Sequence, residues 1–207
     1  MAVNFFGHAA VAGRIDDDPA FVLGAMAPDL LPLCGAVPTV ETSAPVAAGQ
    51  VHHLSVDARF HANPAFTALQ SWAARGLIDR GLHRGGARGA AHVAVELLLD
   101  GVLATDADAL GVYTRCLAEA EGAKTPFLWR DELSGRRWSE LVLRLREGAI
   151  PDAYRDLDFV AARLRGALSR RPRLALSDED TVTLRTFLPS LQTRVEAEAR
   201  QLVAGLL

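Results

Sequence analysis

Apolar residues recur at three- and four-residue intervals along most of this chain, while alternating β-branched runs are scarce; the pattern predicts helices rather than strands. Between Asp152 and Arg171 the series Tyr154, Leu157, Val160, Ala161, Leu164 and Leu168 keeps that spacing, with Pro151 at its start and Pro172 just past its end. Leu184, Leu188, Leu191, Val195 and Leu202 repeat it after the capping-box-like Ser177-x-x-Asp180. Further helices are expected at about 47–61, 65–78, 88–104, 106–121 and 137–148, with a shorter pair within the first 28 residues. Cys34 to Ala47, Gly81 to Gly89 and Gly122 to Asp131 carry Pro or Gly among polar residues and read as loops. The expected fold is all-α, one compact bundle of about eight helices forming a single domain over residues 1–207.

Composition narrows the class. A chain of 207 residues, 50% hydrophobic, is long and apolar enough to bury a full core, which excludes disorder as its general state. A net charge of −3 and a pI near 6.1 argue against a dedicated nucleic-acid binder. Every cation but Lys124 is Arg, and their crowding in the second half allows a local anion-facing patch. Cys34 and Cys116 make no disulfide framework, so a reducing, cytoplasmic compartment is expected. The N-terminus lacks a signal-peptide pattern, His8 and Arg14 interrupting it, and no apolar run is long enough for a membrane span.

The six histidines all precede residue 93. His53-x-x-x-Asp57-x-x-x-His61 places three metal-competent groups on one helical stripe, successive members about 6 Å apart along the axis. His92-x-x-x-Glu96-x-x-x-Asp100 repeats the arrangement on a helix otherwise apolar nearly all round, which should be buried. Buried charge must be paired or bound to metal, and two such stripes offer a nitrogen-and-oxygen site for a divalent ion. His8, after Phe5-Phe6, and Asp29, after Gly24-Ala-Met-Ala-Pro28, would complete the cluster; Pro28 is expected to stop its helix and present Asp29 at a fixed angle. Taken singly each stripe is ordinary helix chemistry; together they point to metal. His52 should face away from His53, and His83 reads as solvated. Asp16-Asp17-Asp18 reads as a turn before Pro19, and Trp72, Trp129 and Trp138 as packing residues.

In order, Asn4-Phe5-Phe6-Gly7-His8, Gly24-Ala-Met-Ala-Pro28-Asp29, Gly49-x-x-x-His53-x-x-x-Asp57-x-x-x-His61-x-x-Pro64-x-Phe66 and Glu96-x-x-x-Asp100 resemble the acyl carrier protein phosphodiesterase family. The Arg-rich helix ending near Arg171 and the long final helix extend the likeness over nearly the whole chain. The resemblance implies an HD-domain-like, all-helical, metal-dependent phosphohydrolase that cleaves the 4′-phosphopantetheine linkage of a carrier protein with a divalent ion, commonly manganese. It maps the family's metal-site residues onto Asp29, His53, Asp57, Glu96 and Asp100. The chain departs from the family at His61 and Glu96, where Asp is usual, at Gly101, where His is usual, and at His92, which has no counterpart. His92-x-x-x-Glu96 also resembles zinc-dependent phospholipase C and P1-nuclease-like proteins.

The expected activity is thus phosphodiester hydrolysis with one or two ions of Mn, Zn or Fe. His8, Asp29, His53, Asp57, His61, His92, Glu96 and Asp100 are the candidate ligands, Asp29 also orienting or deprotonating the nucleophilic water. Arg84 and Arg88 are candidates to hold phosphate oxygens, and Arg163, Arg165, Arg170, Arg171 and Arg173 to meet an acidic carrier protein. The competing readings are a phospholipase C-like or nucleotide phosphodiesterase, and a non-catalytic helical binding protein with a degenerate metal site.

Overall fold

A computed structural model of the chain describes residues 5–39, 43–121, 125–148 and 150–206; Asn4, Lys124 and parts of two expected loops lie outside them. The all-α expectation is met. Among the described residues there are ten helices and no strand, only an isolated bridge between Pro38 and Trp129. In order they are α1 (Phe5–Ala12), α2 (Pro19–Cys34), α3 (Ala44–Ala62), α4 (Pro64–Ile78), α5 (Arg84–Leu103), α6 (Ala107–Glu119), α7 (Glu132–Glu147), α8 (Ile150–Ala153), α9 (Leu157–Ser169) and α10 (Asp178–Ala204). Among the described residues no helix is long and apolar enough to cross a membrane.

The chain divides into two compact units, Met1–Ala58 with Leu103–Pro151 and Leu207, and Arg59–Val102 with Asp152–Leu206. In the first, α2 packs against α1, α6 and α7. Phe5 and Phe6 meet the Tyr113 ring at 6.2 and 5.4 Å, and Trp138 is buried with its Nε1–H donated to the Ala120 carbonyl at 3.2 Å. Burying that indole without an acceptor would cost more than the hydrogen bond returns. In the second unit α10 packs against α4 and α9, and Leu164, Leu184, Leu188, Leu191 and Val195 are all fully buried, as their spacing requires.

Several boundaries moved for identifiable reasons. Asp18 accepts from the Ala20 N–H at 2.8 Å and starts α2, while Asp17 pairs with Arg115, so the acidic triplet is a cap rather than only a solvated turn. Pro28 does not stop α2, which continues through Pro28 and Pro32 to Cys34. Each proline forfeits one backbone bond, and the burial of Leu23, Met26, Ala27 and Leu30 offsets that loss. Gly35, at φ 64°, then ends the helix. α5 begins inside the expected loop because the Nδ1 of His83 accepts from the Gly86 N–H at 3.1 Å, while its Nε2–H donates to the Ala175 carbonyl at 3.2 Å. His83 is therefore a helix cap and a tether. The expected helix from Asp152 is broken in two, since Asp156 caps α9 through Asp158 and Phe159.

Candidate metal centres

The structure gathers six of the eight candidate ligands into two groups. In the first unit His8 of α1, Asp29 of α2 and His53 of α3 each place a donor atom within 4.8 Å of the others, and all three are buried. The approach of α3 to α2 is what permits this. A Cβ on Gly24 would collide with the Val46 carbonyl, and one on Gly49 with the Phe21 carbonyl, so only glycine allows the two backbones this close. One turn beyond Gly49, His53 reaches the Ala25 carbonyl with Nδ1 at 2.8 Å. A carbonyl only accepts, so Nδ1 carries the proton and Nε2 is left with its lone pair. Metal-binding histidines are oriented by the same kind of outer hydrogen bond. Burial pushes the His53 pKa down, against opposing effects of the Ala25 bond and the Asp57 charge, and so favours the neutral ring that a metal requires. The His8 and His53 rings stack at 3.8 Å, an arrangement two imidazolium ions would resist.

In the second unit His61 of α3, His92 of α5 and Glu96 of α5 form the other group. Both imidazole Nε2 atoms converge on one oxygen, Glu96 Oε1, at 3.7 Å from His61 and 3.1 Å from His92. Glu96 is 3% exposed, whereas the His61 and His92 side chains are 31% and 37% exposed. Phe66 stands edge-on to both rings, 5.1 Å from His61 and 5.4 Å from His92, and Phe60 packs against His61 and Phe66. Gln70 holds His92 Nδ1 at 3.1 Å. Neither Gln70 nor the Ala25 carbonyl was singled out by the sequence; a lone amide on α4 and a backbone oxygen carry no pattern.

Two imidazoles and a carboxylate are the donor set of three-ligand catalytic zinc sites and of iron facial triads, and are unlike the all-oxygen shells of Mg and Ca. Each group therefore fits a borderline first-row ion. The stripe His53, Asp57, His61 is divided, α3 giving His53 to one group and His61 to the other. Asp57 is half-buried and belongs to neither group, though its charge acts on His53. Asp100 is buried and also belongs to neither. His52 turns from the first group toward Phe21, 5.4 Å away.

Arg84 and Arg88 are exposed at the start of α5, Arg88 one turn before His92. Arg165 pairs with Asp178, while Arg170, Arg171 and Arg173 are exposed. At Gly101 a Cβ would lie 2.7 Å from the Tyr154 carbonyl, so the backbone of this chain leaves no room there for any side chain. No family model, curated protein or solved structure matches the chain.

Proposed function

We propose that this protein is a metal-dependent phosphodiester hydrolase of HD-domain-like, helical type, residing in the cytoplasm. The observation that carries the reading is the buried convergence of His8, Asp29 and His53 from three helices, with the His53 tautomer set by Ala25. A carboxylate and two imidazoles buried together need their charge compensated, and a cation shared among them would do so. An ion of Mn, Zn or Fe held there would supply Lewis acidity toward a phosphoryl oxygen and a bound water acidic enough to ionise near neutral pH. Asp29 offers one oxygen to hold the ion and a second to orient that water or take its proton. Arg84 and Arg88 supply planar donors for the non-bridging phosphate oxygens. The motif order favours carrier-protein 4′-phosphopantetheine as the diester, docked against Arg170, Arg171 and Arg173.

The test is hydrolysis by metal-stripped and metal-restored protein of three substrates: a small chromogenic diester, a phospholipid and holo-carrier protein. Release of phosphopantetheine, lost on chelation and on Asp29→Asn, supports the reading. Cleavage of the phospholipid but not of holo-carrier protein would move the substrate to the phospholipase C-like class. A protein that takes up no metal and cleaves nothing would be a helical binding protein.

A further inference from the structure

We infer that His61, His92 and Glu96 bind a borderline divalent cation of their own, of the zinc, cobalt or ferrous class, in a three-ligand site with an open outward position. This goes beyond the function proposed for the buried group, and it stands whether or not that group hydrolyses phosphodiesters. Three observations carry it. First, two Nε2 atoms address a single buried carboxylate oxygen, at 3.1 and 3.7 Å. Bonds of about 2.0–2.1 Å in tetrahedral geometry put neighbouring ligand atoms about 3.3 Å apart, between the two observed separations. Two imidazoliums hydrogen-bonded to Glu96 at once do not explain the pattern: 3.7 Å exceeds a hydrogen bond, and the rings stack at 4.8 Å and 16°, where two positive charges would repel.

Second, the surroundings hold the rings as ligands are held. Phe66 fixes both edge-on, and Gln70 controls the His92 tautomer. With the Gln70 oxygen toward the ring, Nδ1 carries the proton and Nε2 is free to coordinate. With the amide nitrogen there, Nε2 carries the proton and donates to Glu96. A half-turn of the amide thus prepares His92 for the ion without moving the backbone. Third, exposure is graded. Glu96 is sealed while both imidazoles remain about one-third exposed, so the fourth position faces outward and water or an anionic oxygen can fill it.

The experiment titrates metal-stripped protein with Co²⁺ alone and with Zn²⁺ alone, reading stoichiometry by equilibrium dialysis and coordination by the visible Co²⁺ spectrum. Wild type should hold two equivalents, His92→Gln one and His53→Gln one, each variant keeping its helical dichroism. Gln70→Leu, which removes no ligand, should keep two equivalents but weaken one by about 10–100-fold. A single equivalent in wild type that His53→Gln abolishes and His92→Gln leaves intact would overturn the inference while sparing the proposed function. A single equivalent lost in His92→Gln but kept in His53→Gln would uphold the inference and defeat the buried centre. Loss of both equivalents in His92→Gln would overturn the claim of a separate ion. If His92→Gln fails to fold, unchanged affinities in Gln70→Leu would overturn it instead.

Discussion

His53 donates its Nδ1–H to the Ala25 carbonyl at 2.8 Å, so a main-chain atom of α2 sets which nitrogen of an α3 histidine faces the buried cluster. The glycine contacts between these helices make that bond possible. An imidazole so oriented loses little rotational freedom on binding a cation, which is the physical content of a prepared site.

Within that cluster, Asp29 and Asp57 should behave differently. Asp29→Asn removes the charge of a proposed ligand and should abolish metal uptake at the buried site and turnover together. Asp57→Asn removes a charge that favours the protonated form of His53, so metal affinity should change by about tenfold or less. Metal analysis of the two purified variants checks this; equal loss in both would make Asp57 a ligand.

Gly101→His restores the residue the family resemblance expects, yet it should harm this protein. Its Cβ would sit 2.7 Å from the Tyr154 carbonyl, a backbone atom that cannot swing aside. Overpacking of this kind costs about 1–3 kcal/mol, more than the helix-propensity gain over Gly of a few tenths. Thermal unfolding should show a lower Tm, and an unchanged Tm would contradict the placement.

Asp131 caps α7 by accepting from the Ser134 N–H at 2.7 Å, and that bond holds its carboxyl below the usual 3.8. Because the folded value is the lower one, its stabilising effect is complete above 3.8 and is lost as the pH falls through the folded pKa. Asp131→Asn keeps an acceptor but cannot titrate. Denaturant unfolding between about pH 5 and pH 2 should therefore show a shallower acid-side loss in the variant.

The two thiols should separate cleanly. Cys116 is buried beside the Pro19 carbonyl, and burial raises its pKa far above neutrality, whereas Cys34 is half-exposed near the end of α2. A disulfide reagent at neutral pH should modify Cys34 in the native protein and reach Cys116 only on unfolding. Two equally fast thiols would show that the α2–α6 packing opens readily.

Much of the helical framework was legible because burial on a helix forces a 3.6-residue period, and α9 and α10 follow theirs closely. The misread boundaries were those set by single polar atoms or by packing. The His83 cap turned a glycine-rich loop into the start of α5, and buried neighbours carried α2 through two prolines. The candidate ligands were legible as a roster, since several His and acidic residues recur at helical spacing among apolar neighbours. Their grouping was not: eight residues advance a helix by about 12 Å, more than one ion's ligands span, so a shared stripe did not mean a shared group.

The sequence by itself determined that this is a helical protein with imidazoles and carboxylates in largely apolar segments. Periodicity reports which residues share one helix's face, and that information is local. Tertiary structure alone decided that His53 joins His8 and Asp29 while His61 joins His92 and Glu96. The reason is that partners across helices are chosen by close approach, at Gly24 and Gly49 in one unit and by the Phe60 and Phe66 rings in the other, and no spacing along the chain encodes which helix will lie opposite.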